Sequence, residues 1–192
     1  LGTMVEEAPT SREALEAAGL NWQVIQKNLV TDSGIVVPGF KANLRETDQQ
    51  VLGVVSDRYK VVQNEEAFAF TDALLGEGVT YETAGSLQNG RRTWILAKLP
   101  ARYIISGDEV TPYLVFMNSH DGSGSIKAAM TPIRVVCQNT LNLALSTAKR
   151  SWSTNHTGDI KGKMEDARYT LLYADQYLSL IHISEPTRHS LI

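Results

Sequence analysis

The sequence has a single cysteine, Cys137, among its 192 residues, which excludes an internal disulfide and a zinc site built from several cysteines. No apolar run is long enough to cross a bilayer, and the first residues lack the basic start, apolar middle and small-residue cleavage site of a signal peptide. These absences predict a cytoplasmic protein without a membrane partner.

The sequence also lacks the motifs that hold common phosphate-bearing cofactors. It contains neither a G-x-x-x-x-G-K-[ST] pattern nor a dinucleotide-binding fingerprint. It has no internal repeat or heptad array, which argues against a solenoid or a coiled coil. We therefore predict no cofactor and no resident metal.

The composition, 43% hydrophobic and 20% charged, is typical of a globular domain with its own core. We predict one domain over residues 1–177, truncated at both ends, because the chain begins at Leu1 and closes with a foreign-looking segment. Residues 178–192 resemble the translation of a sequencing-library adapter, so we predict that they are not part of the fold.

The tail, residues 178–192, gives a first testable prediction. A segment that was not selected for folding should contribute nothing to the core, so its deletion should leave the melting temperature unchanged. A thermal melt of the shortened chain checks this, and a drop of several degrees would contradict it.

The order of strand and helix signals indicates an α+β domain. Alternating apolar residues predict a meander of strands over 22–30, 35–44 and 51–56, and Asn89 with Gly90 predicts a hairpin between strands 80–87 and 91–99. Strands 110–117 and 126–136 follow, and helices are predicted over 12–18, from an N-cap at Asn64, and over 159–177. Because strands follow one another, we predict an antiparallel sheet of hairpins and meanders with helices packed on one side.

The stretch 131–145 combines a β-branched run with helix formers, which predicts that a buried strand passes into a helix capped by Asn139 or Thr140. Arg134 and Cys137 would then lie near a helix N-terminus, where an anion or a thiolate is favoured. Cys137 is either a nucleophile, with His120 or His156 as base, or a small buried apolar residue, and the second reading is favoured.

Four separated strings carry a resemblance to a known family: residues 54–68 (VVSDRYKVVQNEEAF), 90–97 (GRRTWILA), 116–123 (FMNSHDGS) and 131–145 (TPIRVVCQNTLNLAL). Over roughly residues 1–177 the chain resembles the phage/plasmid-like family built on domain of unknown function 932. The resemblance implies a gene carried by phages or plasmids and a role inside the host cell. It supplies no catalytic residues to transfer.

The densest polar cluster is the segment that begins with Asn118, Ser119, His120 and Asp121. Three interpretations remain open. The segment is a metal or acid–base site completed by His156 with Asp159, an anion-binding loop built on its glycine and serine N–H groups, or a plain turn. The turn carries the most weight, because Asp-Gly and Ser-Gly are ordinary turn chemistry.

Charge is distributed unevenly along the chain. Residues 1–90 carry 6 Lys/Arg against 13 Asp/Glu, whereas residues 91–177 carry 11 against 7. A positive second half can form a nucleic-acid-binding face on a chain whose net charge is −3. The residues that we predict to form that face are Arg91, Arg92, Arg134, Lys149, Arg150 and Trp152, the last as a platform that stacks bases.

Three functions from different classes follow. The leading hypothesis is a phage- or plasmid-encoded accessory protein of recombination that binds or anneals single-stranded DNA as a homo-oligomer, since the predicted fold is similar in outline to single-strand annealing recombinases. The alternatives are a hydrolase or metal-dependent enzyme centred on His120, Asp121, Cys137 and His156, and a non-catalytic protein that interacts with the host. The sequence leaves open whether the protein is an enzyme and favours the two non-enzymatic readings.

Overall fold

A computed structural model describes residues 2–6, 10–76, 80–99, 113–148 and 150–173. Within these residues two antiparallel sheets form, one of six strands and one of three. In chain order the elements are β1 (Thr3–Met4), α1 (Ser11–Ala17), β2 (Val24–Val30), β3 (Val36–Arg45), β4 (Val51–Ser56), α2 (Asn64–Leu75), β5 (Thr80–Leu87), β6 (Arg92–Lys98), β7 (Tyr113–Ser119), β8 (Ile126–Thr131), α3 (Gln138–Thr147), β9 (Arg150–Thr154), α4 (Ile160–Arg168) and a π-helical segment (Tyr169–Tyr173).

The six-stranded sheet has the order β1-β5-β6-β7-β8-β9, and its central strands are buried on both faces. One face, which we call the α2 face, packs against α1, α2 and α4 and contributes Ile95, Ala97, Leu114, Phe116, Ala128 and Met130 to the core. The opposite face, the α3 face, contributes Trp94, Leu96, Val115, Met117 and Ala129 and packs against Leu141 and Ala144 of α3.

The α+β class and the antiparallel hairpins are confirmed. The helices are distributed over both faces of the large sheet, whereas the sequence predicted them on one side. The reason is that β6, β7 and β8 carry apolar residues at successive positions instead of alternating positions, so each face needs a cover. Helix α3, with its buried Leu141 and Ala144, supplies the second cover.

The three-stranded sheet is the predicted meander β2-β3-β4, and it covers the end of the large sheet where the β5–β6 turn and the β7–β8 loop lie. The Asn43 side chain donates to the His120 carbonyl oxygen at 2.9 Å. A Cβ at Gly53 would lie 2.6 Å from the Asp121 Cα, so only glycine lets β4 approach the loop this closely. We refer to this end of the large sheet as the loop end.

The junction between β8 and α3 differs from the sequence prediction. Strand β8 ends at Thr131 because Pro132 follows, and residues 132–137 form an irregular connection to the helix. Helix α3 begins after Cys137, and the Thr140 hydroxyl accepts from the Cys137 backbone N–H at 3.0 Å. Thr140 therefore completes the cap from inside the first turn.

The predicted tail, residues 178–192, and the end of the last predicted helix, residues 174–177, lie outside the described residues. Among the residues that are described, no helix is long and apolar enough to span a membrane.

Candidate functional site

We use the name β7–β8 loop for residues 118–125, which include the last two residues of β7, and its first three residues, Asn118, Ser119 and His120, are completely buried. Asn118 and Ser119 are the last residues of β7, and Arg92 of β6 pairs with Ser119 in the sheet. The backbone N–H of His120 donates to the Arg91 carbonyl oxygen at 2.7 Å. The predicted polar loop is therefore anchored to the neighbouring strand and is largely interior.

Asn118 organises the interior side of this loop. Its Nδ2 donates to the Val62 carbonyl oxygen at 2.8 Å, and its Oδ1 accepts from the Ser119 backbone N–H at 2.9 Å, which fixes the orientation of the amide. The same Oδ1 lies 2.6 Å from His156 Nε2, so that nitrogen must carry a proton and donate. One side chain thus joins β7 to the segment before α2 and to the segment before α4.

His120 is held by a second amide. Asn64 Nδ2 donates to the Leu20 carbonyl oxygen at 3.0 Å, so Asn64 Oδ1 faces His120 Nε2 and accepts from it at 2.8 Å. The imidazole also makes an edge contact with the Trp22 ring at 5.5 Å between centroids. The sequence predicted Asn64 as the helix cap. In the structure Gln63 occupies the cap position, and the Asn64 side chain is buried and accepts a hydrogen bond from His120.

Burial makes both histidines neutral. Desolvation, followed by the proximity of His156, lowers the pKa of His120 to about 4. Desolvation likewise lowers the pKa of His156 to about 4, although the charge of Asp121 acts in the opposite direction. With Nε2 protonated in each, His120 Nδ1 is a buried acceptor without a partner among the described residues.

Tyr59 closes the outer side of the network. Its ring stacks on His156 at 4.6 Å between centroids, and its hydroxyl donates to the Ser119 carbonyl oxygen at 2.5 Å. Desolvation raises the pKa of Tyr59 well above its ordinary value, and the charge of Asp121 adds to the shift. Tyr59 is therefore a neutral hydrogen-bond donor at any physiological pH.

Asp121 lies at the solvent side of the loop. Its Oδ1 accepts from Ser119 Oγ at 2.5 Å, from Ser123 Oγ at 2.6 Å and from the Ser123 backbone N–H at 2.9 Å. Burial alone would raise the pKa of Asp121, but these hydrogen bonds and the charge of Arg92 outweigh it and keep the pKa below its ordinary value. The carboxylate is ionised and is used to shape the turn.

The arrangement does not favour the enzyme hypothesis. His120, Asp121 and His156 do converge, but the imidazoles are at most 4% exposed and their donors are engaged by amides. No three histidine, cysteine, aspartate or glutamate side chains are grouped to hold a metal ion in the part of the chain that the structure describes. An acid or base needs access to its substrate, and the two imidazoles have almost none.

Cys137 lies apart from the two histidines. It precedes α3 on the α3 face of the large sheet, whereas His120 and His156 contact residues of the α2 face. The thiol is half-buried and 3.6 Å from Thr140 Oγ1. Hydrogen bonds from Thr140 lower the pKa of the thiol, but the sheet separates it from either candidate base.

The predicted nucleic-acid residues do not form one surface. Arg134 binds Glu82 at 2.7 Å and also pairs with Glu6, and Arg150 donates to the Leu171 carbonyl oxygen at 2.9 Å. Arg150 lies in the register row of Ala97, which is five residues along β6 from Arg92, so Arg150 is displaced from Arg92 by roughly 17 Å along the strands and by three strands across the sheet.

Trp152 packs against the core and lies 6.3 Å from the Phe70 ring, so it is not a free stacking platform. Lys149 lies outside the described residues. Arg91 is exposed at the loop end, and Arg92 donates to Ser123 Oγ at 3.2 Å beside it. Of the predicted set, only these two arginines are shown to lie together.

A family profile described as Domain of unknown function (DUF932) matches residues 51–183, more than half of the chain. The chain belongs to this family. The resemblance to domain of unknown function 932 is thus confirmed, and the DUF932 match covers the loop end and β4 but leaves out β2 and β3 of the small sheet. Searches of curated proteins and of solved structures return no significant match.

Sequence reasoning missed two cations of the DUF932 domain, Arg58 and Lys60. They flank Tyr59, whose hydroxyl reaches Ser119, and the Lys60 backbone N–H donates to the His156 carbonyl oxygen at 2.6 Å. Both side chains are exposed. The available signal was the alternation of charged residues with a tyrosine before α2, in the string at residues 54–68 that carries the family resemblance.

Proposed function

We propose that the protein binds single-stranded DNA at the loop end, as an accessory protein of recombination on phage or plasmid DNA. One observation carries the proposal. Two segments that bear exposed cations, Arg58 to Lys60 and Arg91 to Arg92, are hydrogen bonded to the same β7–β8 loop. The loop therefore links two cation-bearing segments that are more than 30 positions apart in the sequence.

These cations are available to a ligand. Among the described residues, the side chains of Arg58, Lys60 and Arg91 are exposed and none of them forms an ion pair, whereas Arg12, Arg45 and Arg134 are all paired with carboxylates. The carboxylate of Asp121 is occupied by Ser119 and Ser123. Asp121 remains ionised beside Arg92, and the exposed Arg58, Lys60 and Arg91 supply the positive charge of the loop end on a chain that is acidic as a whole.

The loop itself suits close approach of a phosphate backbone. Gly122 is exposed with φ +77°, a conformation that other residues rarely adopt, and Ser123 beside it is exposed as well. The buried hydrogen bonds of Asn118 and His120 hold the loop in place before any ligand arrives, so little ordering is needed on binding. Because no exposed tryptophan lies here, phosphate contacts should dominate the affinity.

The choice of single-stranded DNA follows the phage and plasmid association that the resemblance implies. Fluorescence anisotropy with a labelled oligonucleotide tests it, with duplex DNA as competitor. Binding should weaken steeply with salt, and Arg58→Glu with Arg91→Glu should lower affinity on the order of 10–100-fold at low salt and reduce the salt slope by about 1.4.

A matched control carries the same change in net charge. Lys27→Glu with Lys98→Glu alters two exposed lysines, one on β2 and one at the far end of β6, roughly 20 Å along the strand from Arg92. This variant should bind like the unmodified protein. If both variants lost affinity for the oligonucleotide equally, net charge alone would explain the loss. Absence of binding at micromolar protein concentration would reject the proposal.

A further inference from the structure

The three-stranded sheet carries apolar side chains on both of its faces. Its inner face places Val24 and Leu52 in the core, and on the same face Asn43 bonds the His120 carbonyl oxygen and Gln26, while the Arg45 guanidinium lies over the Trp22 ring at 5.3 Å. Antiparallel sheets that cover a protein normally bury their apolar face and expose their polar one. Here the residues that alternate with Asn43 and Arg45 must point outwards.

Those outward residues are apolar. In the register of the sheet, Ala42 pairs with Val54 and Leu44 with Val51, while Phe40 pairs with Ser56. Phe40, Val51 and Val54 are 50%, 47% and 52% exposed. Ala42 and Leu44 are buried between these neighbours but belong to neither of the two core clusters. We call these five residues the outer apolar face.

The apolar surface continues along the β2–β3 hairpin. Val30 pairs with Val36 near its end, and Ile35 follows the turn; these three side chains are 51–65% exposed. Of the nine large apolar side chains that are exposed in the described residues, six lie on this small sheet and its hairpin. Exposed apolar surface concentrated in one place marks an interaction site.

We infer that the outer apolar face is a docking surface for a second copy of this chain. The charged side chain closest to the face in register is Lys27, in the row of Ala42 and Val54, and it bonds Gln49. A partner must therefore be apolar and carry little charge, and the same face of another copy meets that requirement.

The geometry of two packed sheets supports a symmetric pair. Sheets that pack face to face lie about 10 Å apart with strands within about 30° of each other. A two-fold axis parallel to β3 places β2 of one copy over β4 of the other, so the two copies of Lys27 lie at opposite edges and do not repel each other. The product is a six-stranded sandwich in which both faces of each small sheet are covered.

The area of the outer apolar face determines how tightly two copies are expected to associate. Three strands of about six residues give a flat footprint of roughly 300 Å² per copy. A standard interface buries about 800 Å² per partner, so we expect a weak dimer that dissociates in the micromolar range or above. Three of its five residues, Phe40, Ala42 and Leu44, lie on β3, outside the residues that match the DUF932 profile, and the other two lie on β4 inside it.

Sedimentation equilibrium of the full chain from micromolar to near-millimolar concentration tests the inference. The mass should rise from that of one chain towards two, and added sulfate should strengthen association. Val54→Asp places a carboxylate in the contact and should weaken it at least 10-fold. Leu143→Asp, on α3, is the matched control because Leu143 is as exposed as Phe40, and it should associate like the unmodified protein.

Two further readouts keep the outcomes distinct. Val51→Lys repeats the test if Val54→Asp fails to fold, and concentration-dependent NMR shifts of the Val51 and Val54 methyl groups need no variant. A protein that stays monomeric throughout, or equal weakening by Leu143→Asp and Val54→Asp, would overturn the inference. Val54→Asp should still bind DNA, so loss of dimerisation and loss of DNA binding are separable.

Discussion

Replacing Asn118 by alanine should destabilise the protein by about 3–5 kcal/mol. The side chain is completely buried and satisfies three groups at once: the Val62 carbonyl oxygen, the Ser119 backbone N–H and His156 Nε2. Each buried group left without a partner costs about 1–3 kcal/mol, reduced by local relaxation. Urea denaturation should show a much lower midpoint with an unchanged slope.

Asn28→Ala is the matched control for this substitution. Asn28 is an exposed asparagine on β2 whose side chain has one partner, Lys41 Nζ. Its loss should change the free energy of unfolding by less than about 0.5 kcal/mol. If Asn118→Ala cost no more than Asn28→Ala, the amide would not be the organising element of the β7–β8 loop.

The regular elements were largely predictable because local patterns determine them. The β2-β3-β4 meander followed from alternation and from turn residues, and Asn89 and Gly90 both have positive φ in the β5–β6 turn. The end of β8 was predicted five residues too late, since the β-branched residues after Pro132 suggest a strand. Val135 is nevertheless completely buried, and its carbonyl oxygen accepts from Thr83 Oγ1. Burial and strand pairing are separate properties that one apolar pattern cannot distinguish.

The candidate site was predictable only in part. The polar character of the loop from Asn118 to Asp121 was visible, but its partners were not, because His120 bonds Asn64 across 56 positions and Tyr59 reaches Ser119 across 60. Neither side chain carries a local signal for a partner so distant. Spacing along the chain likewise could not show that the predicted arginine Arg134 is engaged by two carboxylates.

The buried histidines also explain how a polar interior can be compatible with a binding role. His120 and His156 are not placed for proton transfer to a ligand; they tie the β7–β8 loop to α2 and to the segment before α4. The backbones of two loop-end cations are hydrogen bonded to these histidines: the Arg91 carbonyl oxygen accepts from the His120 N–H, and the Lys60 N–H donates to the His156 carbonyl oxygen. The interior hydrogen bonds therefore hold the surface cations in place, and acid, which leaves the arginines and lysines charged, should act on the interior by protonating the histidines.

Acid should accordingly destabilise the protein between about pH 6.5 and pH 4. The two histidines have pKa values of about 4 in the folded protein, against an ordinary value of 6.5. Well above pH 6.5 both are neutral in the folded and unfolded chains, so their titration does not lower the free energy of unfolding. As the pH falls, the unfolded chain binds protons that the folded protein refuses, and the loss reaches about 3 kcal/mol per histidine near pH 4.

Urea unfolding at a series of pH values measures this loss, and His120→Gln separates it from the titration of carboxylates. Glutamine retains an N–H donor for Asn64 Oδ1 but does not titrate in this range, so the variant should begin less stable at pH 7 and then lose stability about half as steeply between pH 6.5 and pH 4. An unchanged slope in His120→Gln would mean that His120 is protonated as easily in the folded protein as in the unfolded chain. Such a result would require water to reach the imidazole. A solvent-accessible His120 could act as an acid or base, so the enzyme hypothesis would again be supported.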